Sequence, residues 1–202
     1  MAETTNIDAK SVAKLRAETG AGMMDCKKAL EESAGDFERA KDWLRKKGKQ
    51  LAEKRAERET KAGTIAQYIH GGGRIGVLLE LKCETDFVGR NEEFQALARD
   101  LCMQVAAARP IAVSREQVPE ALIAREKAIY AEQAKGKPPA VVEKMVAGKL
   151  EAFFKEKVLL DQPFVKDPAQ TVRDRIQQTA GKLGENVRVG RFARFELGEA
   201  TE

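Results

Sequence analysis

Apolar residues recur along this chain with two different periods, and the change between them divides it. Val12 and Leu15, then Met23, Cys26 and Leu30, then Phe37, Ala40 and Leu44 follow helical spacing, with breaks at the glycines of residues 19–22, at Gly35 and at Gly48. The pattern predicts three short amphipathic helices, the third capped by Asp36. A bundle of about fifty residues has a small core and little stability of its own. It reads as a docking module rather than a catalytic one.

From residue 46 to residue 63 the apolar stripe fades. Lys46, Lys47, Lys49, Lys54, Arg55, Arg58 and Lys61 are interleaved with Glu53, Glu57 and Glu59. Glu57 and Lys61 stand four apart, as ion pairs on an exposed helix do. A helical linker and a nucleic-acid patch both fit, although the glutamates weaken attraction to phosphate. The expected organisation is a helical bundle over 1–48, a charged helical linker over 49–63, and a larger domain over 64–202.

The larger domain opens with period two. Residues 64–70 and 75–83 read as strands joined by the hairpin loop Gly71-Gly72-Gly73-Arg74. Val77, Leu79, Leu81 and Cys83 face one way, with Leu78, Glu80, Lys82 and Glu84 opposite. The glycine triplet is not a phosphate loop, because no Gly-Lys-Ser/Thr follows it. Next comes Glu84-Thr85-Asp86-Phe87-Val88-Gly89-Arg90-Asn91, which sets a large apolar ring at a strand-to-helix turn between two cap-forming residues, Asp86 and Asn91. An aromatic ring on a surface turn returns to its own core or enters a partner.

Helical spacing resumes at 91–108 with Phe94, Leu97, Leu101, Val105 and Ala108 on one face. Ser114 and Gln117 form a candidate capping box, and Pro119 suits a first helical turn. A helix with Leu122, Ile123, Ile129 and Tyr130 ends at residues 136–139, and another carries Val142, Val146, Leu150 and Phe153. Residues 159–165 read as an apolar loop, and Val172, Ile176 and Leu183 mark a last helix. The closing strand, 187–197, alternates Val187, Val189, Arg191, Ala193, Phe195 and Leu197 with Arg188, Gly190, Phe192, Arg194 and Glu196. Three antiparallel strands make a small sheet that helices cover on one face, so the fold class is α+β. The last strand has aromatic residues on both faces, which fits local packing in a monomer or pairing between subunits.

Composition narrows the function. Of 202 residues, 36 are basic and 32 acidic, a net charge of +4 that is too balanced to demand a polyanionic partner. No direct nucleic-acid partner and no membrane span are expected, and residues 1–6 lack a secretion signal, so a cytoplasmic location is expected. Cys26, Cys83 and Cys102 form no close pair and lie on apolar stripes, so inert buried thiols are expected over a thiol enzyme. With His70 as the only histidine, no metal set emerges. No nucleophile–base pair appears either, and neither an enzyme nor a cofactor is expected.

Two long motifs then carry a resemblance. Lys14-Leu15-Arg16 with the run from Thr19 to Leu30, and Cys83-Glu84-Thr85-Asp86-Phe87-Val88, resemble the two signatures of the bacterial elongation factor Ts family. Gln162-Pro163-Phe164-Val165 and Arg191-Phe192-Ala193-Arg194-Phe195-Glu196 are similar to later family segments, so the likeness covers essentially the whole chain. The resemblance implies a ubiquitin-associated-like amino-terminal bundle and a nucleotide exchange factor for the GTPase elongation factor Tu. It implies that Met23 and Met24 lie near the contact of the bundle with the GTPase, Met24 being the better exposed candidate, and that His70 meets the partner. It implies too that the turn Thr85, Asp86, Phe87 and Val88 dislodges the magnesium ion, with Phe87 as the wedge and Asp86 positioning the turn. Longer members carry two copies of the strand-and-helix core. This chain carries one, which implies a homodimer.

Overall fold

The computed structural model describes residues 7–199; the first six residues, read above for a secretion signal, and the last three lie outside them. In chain order the elements are α1 (Ala9–Thr19), α2 (Met23–Glu32), α3 (Phe37–Arg55), β1 (Ala62–His70), β2 (Ile75–Cys83), α4 (Asp86–Gly89), α5 (Glu92–Ala108), α6 (Glu120–Gln133), α7 (Pro139–Lys157), β3 (Pro163–Phe164), β4 (Asp167–Thr171), α8 (Val172–Leu183) and β5 (Arg188–Glu196). The fold is α+β, as the two periods predict. The chain folds into two compact units, each made of three stretches. The first is Met1–Gly63, Cys83–Phe94 and Ile176–Arg188; the second is Thr64–Lys82, Gln95–Arg175 and Val189–Glu202.

The first unit contains the three-helix bundle. Asp8 caps α1 by accepting a hydrogen bond from Ser11 N at 2.6 Å, and Asp36 caps α3 by accepting from Arg39 N at 3.0 Å. Val12, Leu15, Cys26, Ala29, Leu30 and Ala40 form its core, with Phe37, Trp43 and Leu44 packed around them. Met23, expected on this inner stripe, is 45% exposed instead. It stands in the first turn of α2, beside the exposed Met24.

The expected stop at Gly48 does not occur. Helix α3 runs through it to Arg55, and only then does the chain turn toward β1, so helix covers just the start of the 49–63 segment. The Gly48 Cα would lie 3.5 Å from a Cβ on Gly181 of α8. A side chain at Gly181 would thus rest against the α3 backbone, whereas a Cβ on Gly48 itself would meet nothing within 4 Å.

The second unit is built on an antiparallel sheet in the order β1-β2-β5. Residues 71–73 all have positive φ, between 60° and 91°, which explains why three glycines close the β1–β2 hairpin. Val77, Leu79 and Leu81 on β2 are buried, as are Leu97, Leu101 and Val105 on α5, so both stripes supply core. Along β5 the covered positions change parity at Gly190. Val187 and Val189 are buried, whereas Ala193, Phe195 and Leu197 are exposed and Phe192 is partly covered. The single alternating face expected for this strand is therefore not formed.

Two further expectations need correction. Ser114 does not open a capping box: Gln117 Oε1 accepts from Val113 N at 3.1 Å, within a short 3₁₀ turn, and Pro119 takes the N-cap position of α6. Residues 159–165 are not wholly loop, since β3 pairs antiparallel with β4 in a small ribbon. Two buried glutamines hold that ribbon. Gln104 Nε2 donates to Gln162 Oε1 at 3.0 Å and to Pro163 O at 3.2 Å, while its Oε1 accepts from Val165 N at 2.8 Å. Gln162 Nε2 donates to Ala108 O and Glu156 O. One bond joins the two amides and the rest go to backbone groups, so replacing either leaves polar partners unsatisfied. Gln162→Leu should destabilise the protein by about 1–3 kcal/mol or more, because it orphans buried carbonyls. Urea unfolding checks this; an unchanged midpoint would contradict it.

Candidate partner interface

The turn after β2 is built on Thr85, not on Asp86. Thr85 has extended backbone angles, and its Oγ1 accepts from Val88 N at 3.4 Å, so it is the N-cap of the one-turn helix α4. Asp86 is the first helical residue and makes no cap. Asn91 behaves as expected, its Oδ1 accepting from Glu93 N at 2.8 Å at the start of α5. Val88 and Gly89 are buried beneath the turn, and a Cβ on Gly89 would sit 3.5 Å from Gly63 O.

These constraints leave Phe87 facing outward. The ring is 84% exposed, more than any other large apolar side chain among the described residues. A core return, the first of the two possibilities for this ring, is thereby removed. Met24 is 73% exposed and Met23 45%, both in the first turn of α2. Met23, Met24 and the Thr85–Val88 turn all belong to the first compact unit, whereas His70 belongs to the second. There His70 is exposed, with Nδ1 2.9 Å from the Tyr68 hydroxyl and the two rings 5.8 Å apart.

Residues that the sequence pattern does not single out hold the turn. Glu185 Oε2 accepts from both Glu84 N and Thr85 N at 3.0 Å, and its Oε1 accepts from the Thr85 hydroxyl at 2.6 Å. Its neighbour Asn186, buried, donates its backbone N–H to Glu84 Oε1 at 2.6 Å. The Asn186 side-chain amide donates to Ala56 O at 3.1 Å and to Arg58 O at 2.8 Å, just past the end of α3. Arg188 Nε adds a bond to Thr60 Oγ1 at 2.7 Å. In the sequence, Gly184-Glu185-Asn186 looks like an ordinary helix ending. Its partners lie about a hundred residues away, beyond the reach of any local pattern.

Among the described residues no group of three or more His, Cys, Asp or Glu side chains is placed to hold a metal ion. No helix among them is long and apolar enough to cross a membrane.

Residues 9–199 match the protein family described as Elongation factor TS. Elongation factor Ts of Thermodesulfovibrio yellowstonii is 55% identical over 197 residues, 97% of this chain and 98% of that protein. The Elongation factor Ts of Carboxydothermus hydrogenoformans is 55% identical over 195 residues, covering 96% of this chain and 90% of the relative. That of Thermotoga neapolitana is 55% identical over 188 residues, 93% of this chain and 95% of the relative.

All three thiols are buried. Burial pushes Cys102 up to about 11, and burial followed by the nearby Glu185 carboxylate pushes Cys83 up to about 11 as well. Raising a thiol pKa by about two units lowers the reactive thiolate roughly a hundredfold at pH 8. Native protein should therefore react with iodoacetamide far more slowly at Cys83 and Cys102 than urea-unfolded protein does. Labelling of native Cys83 at the unfolded rate would contradict this.

Proposed function

The chain belongs to the elongation factor Ts family, whose place is translation elongation, and on that premise we propose that it is a guanine-nucleotide exchange factor for elongation factor Tu. The observation that carries this reading is the Phe87 ring, 84% exposed on a turn whose backbone is held from below. In this reading the α1–α3 module docks on the GTPase with Met24, and Met23 at its margin, in the contact. Flexible, polarizable methionine suits such an adaptable surface. Phe87 then wedges into the GTPase near its nucleotide site, with Thr85 and Val88 fixing the turn and Asp86 presenting a carboxylate beside the ring. The bound magnesium ion is dislodged, GDP leaves and GTP rebinds. His70 makes a separate contact from the second unit. The Tyr68 hydroxyl beside Nδ1 favours presentation of Nε2 outward.

The coupling is reciprocal: factor and nucleotide weaken each other's binding by the same factor. A thousandfold faster release needs about 4 kcal/mol of lowered barrier. Burying one Phe side chain supplies roughly 1.5–3 kcal/mol. The wedge therefore needs help, which in this reading comes from lost magnesium coordination and from the docked helices. No covalent step and no cofactor of the chain's own are involved, and the protein acts as a binding factor in the cytoplasm.

A second copy of the chain is the other proposed partner. Ile65, Ile69 and Leu78 are exposed on β1 and β2, and Phe195 and Leu197 are exposed at the end of β5, at 64% and 71%. Apolar side chains on all three strands favour burial against an equivalent sheet.

Two measurements test these readings. Release of labelled GDP from elongation factor Tu should be strongly accelerated by the wild-type chain, and Phe87→Ala should lose about ten- to hundredfold of that acceleration. Equal rates would remove the wedge, and no acceleration at all would remove the function. Sedimentation equilibrium at micromolar concentration should give twice the 22.3 kDa chain mass, with Phe195→Asp returning to a single chain. A wild-type monomer would overturn the dimer.

A further inference from the structure

The exchange reading leaves open what holds the wedge in register with the docking module. Packing on the ring cannot do so, because the ring is 84% exposed. Its position is set by backbone alone, and the backbone just before α4 is tied by a single carboxylate. Glu185 accepts Glu84 N, Thr85 N and the Thr85 hydroxyl, and Thr85 is in turn the cap of α4. The next residue, Asn186, reaches the other way. Its side chain takes the carbonyls of Ala56 and Arg58, immediately beyond α3, and its backbone N–H takes Glu84 Oε1. Two adjacent residues thus bind the end of the docking module and the base of the wedge at once. The same segment is fixed to the module further back, where Gly181 meets Gly48 and the Lys182 stem covers Gly20. Lys182 also pairs with Glu93 at the start of α5, at 2.8 Å.

We propose that Glu185 is the positioning residue of the exchange reaction, and that with Asn186 it transmits the placement of the docked helical module to Phe87. This rests on the exchange reading above and adds to it a residue that need not touch the GTPase. A carboxylate suits the task chemically. It is acceptor-only when ionised and offers enough lone pairs for two N–H groups and a hydroxyl together. Bonds of an ionised acceptor are also stronger than neutral ones. A glutamine at the same place would turn one of those acceptor atoms into a donor facing other donors. Displacing a reacting or inserting group by about 1 Å can cost two orders of magnitude in rate. Loss of the tie therefore acts on the rate of the bound complex, not on docking.

The experiment compares wild type, Glu185→Ala, Phe87→Ala and the double variant in stimulated GDP release, with the concentration of the chain varied. Glu185→Ala should lower the maximal release rate by about ten- to hundredfold, while the concentration for half-maximal effect changes less than about threefold, since docking belongs to α1–α3. In the Phe87→Ala background the same change should cost less than about twofold, because no wedge remains to position. A maximal rate within twofold of wild type would overturn the proposal. Full additivity with Phe87→Ala would overturn it too, as would a loss confined to the half-maximal concentration. Amide hydrogen exchange on the free chain gives a test without the GTPase. Glu84 and Thr85 amides should exchange at least about tenfold faster in Glu185→Ala, with protection in α1–α3 unchanged. Unchanged exchange at those two amides would overturn the tie. If wild type itself fails to accelerate release, the exchange reading falls, and this second measurement still decides whether Glu185 holds the turn.

Discussion

A phenyl ring left in water cannot fix its own position, so the backbone beneath it has to. That constraint organises the first compact unit. Thr85 caps a single helical turn, Val88 and Gly89 sink below it, and the Glu185 carboxylate gathers the N–H groups that precede it. Each contact is ordinary in strength, a few tenths to a few kcal/mol. Together they remove the conformational entropy that a surface loop would otherwise lose on meeting a partner, which is how preorganisation raises both affinity and rate.

Much of this architecture is legible in the chain itself, for reasons that are local. The helical stripes of α1–α3 and the alternation Val77, Leu79, Leu81, Cys83 report which faces meet a core, and all of those β2 residues are buried. The Gly71-Gly72-Gly73 turn is legible because no other residue adopts successive left-handed angles so cheaply. What is not legible depends on distant partners. Gly48 looks like a helix stop, yet α3 runs through it, and Gly181 of α8 packs against its backbone. Asp86 and Thr85 are both good caps, and only the fold decides that Thr85 fills the role. The parity change at Gly190 involves one residue, too small a signal against the regular alternation around it. Glu185 carries no motif at all. Its role exists only because the chain returns, after α8, to the place where β2 ends.

Family membership and physical reading support different statements. Identity of 55% over nearly the whole chain places the protein in the elongation factor Ts family and in translation elongation. The exposed Phe87 and methionines support the more specific reading as an exchange factor, through the chemistry of the surfaces they offer. Energetics set the limits of that reading. One buried ring falls short of the barrier change that a thousandfold acceleration requires, so the proposed reading needs docking, wedge and magnesium displacement together. A positioning tie between module and wedge is what such joint action needs.

Site-directed photo-crosslinking tests the central claim most directly. A benzoyl-phenylalanine placed at position 87 reports which surface the side chain enters when the chain binds nucleotide-free elongation factor Tu. The account predicts cross-links confined to segments of the GTPase that line its nucleotide and magnesium site, and their loss when GDP and magnesium are restored in excess. Cross-links elsewhere on the GTPase, or none in a complex that still accelerates release, would contradict it.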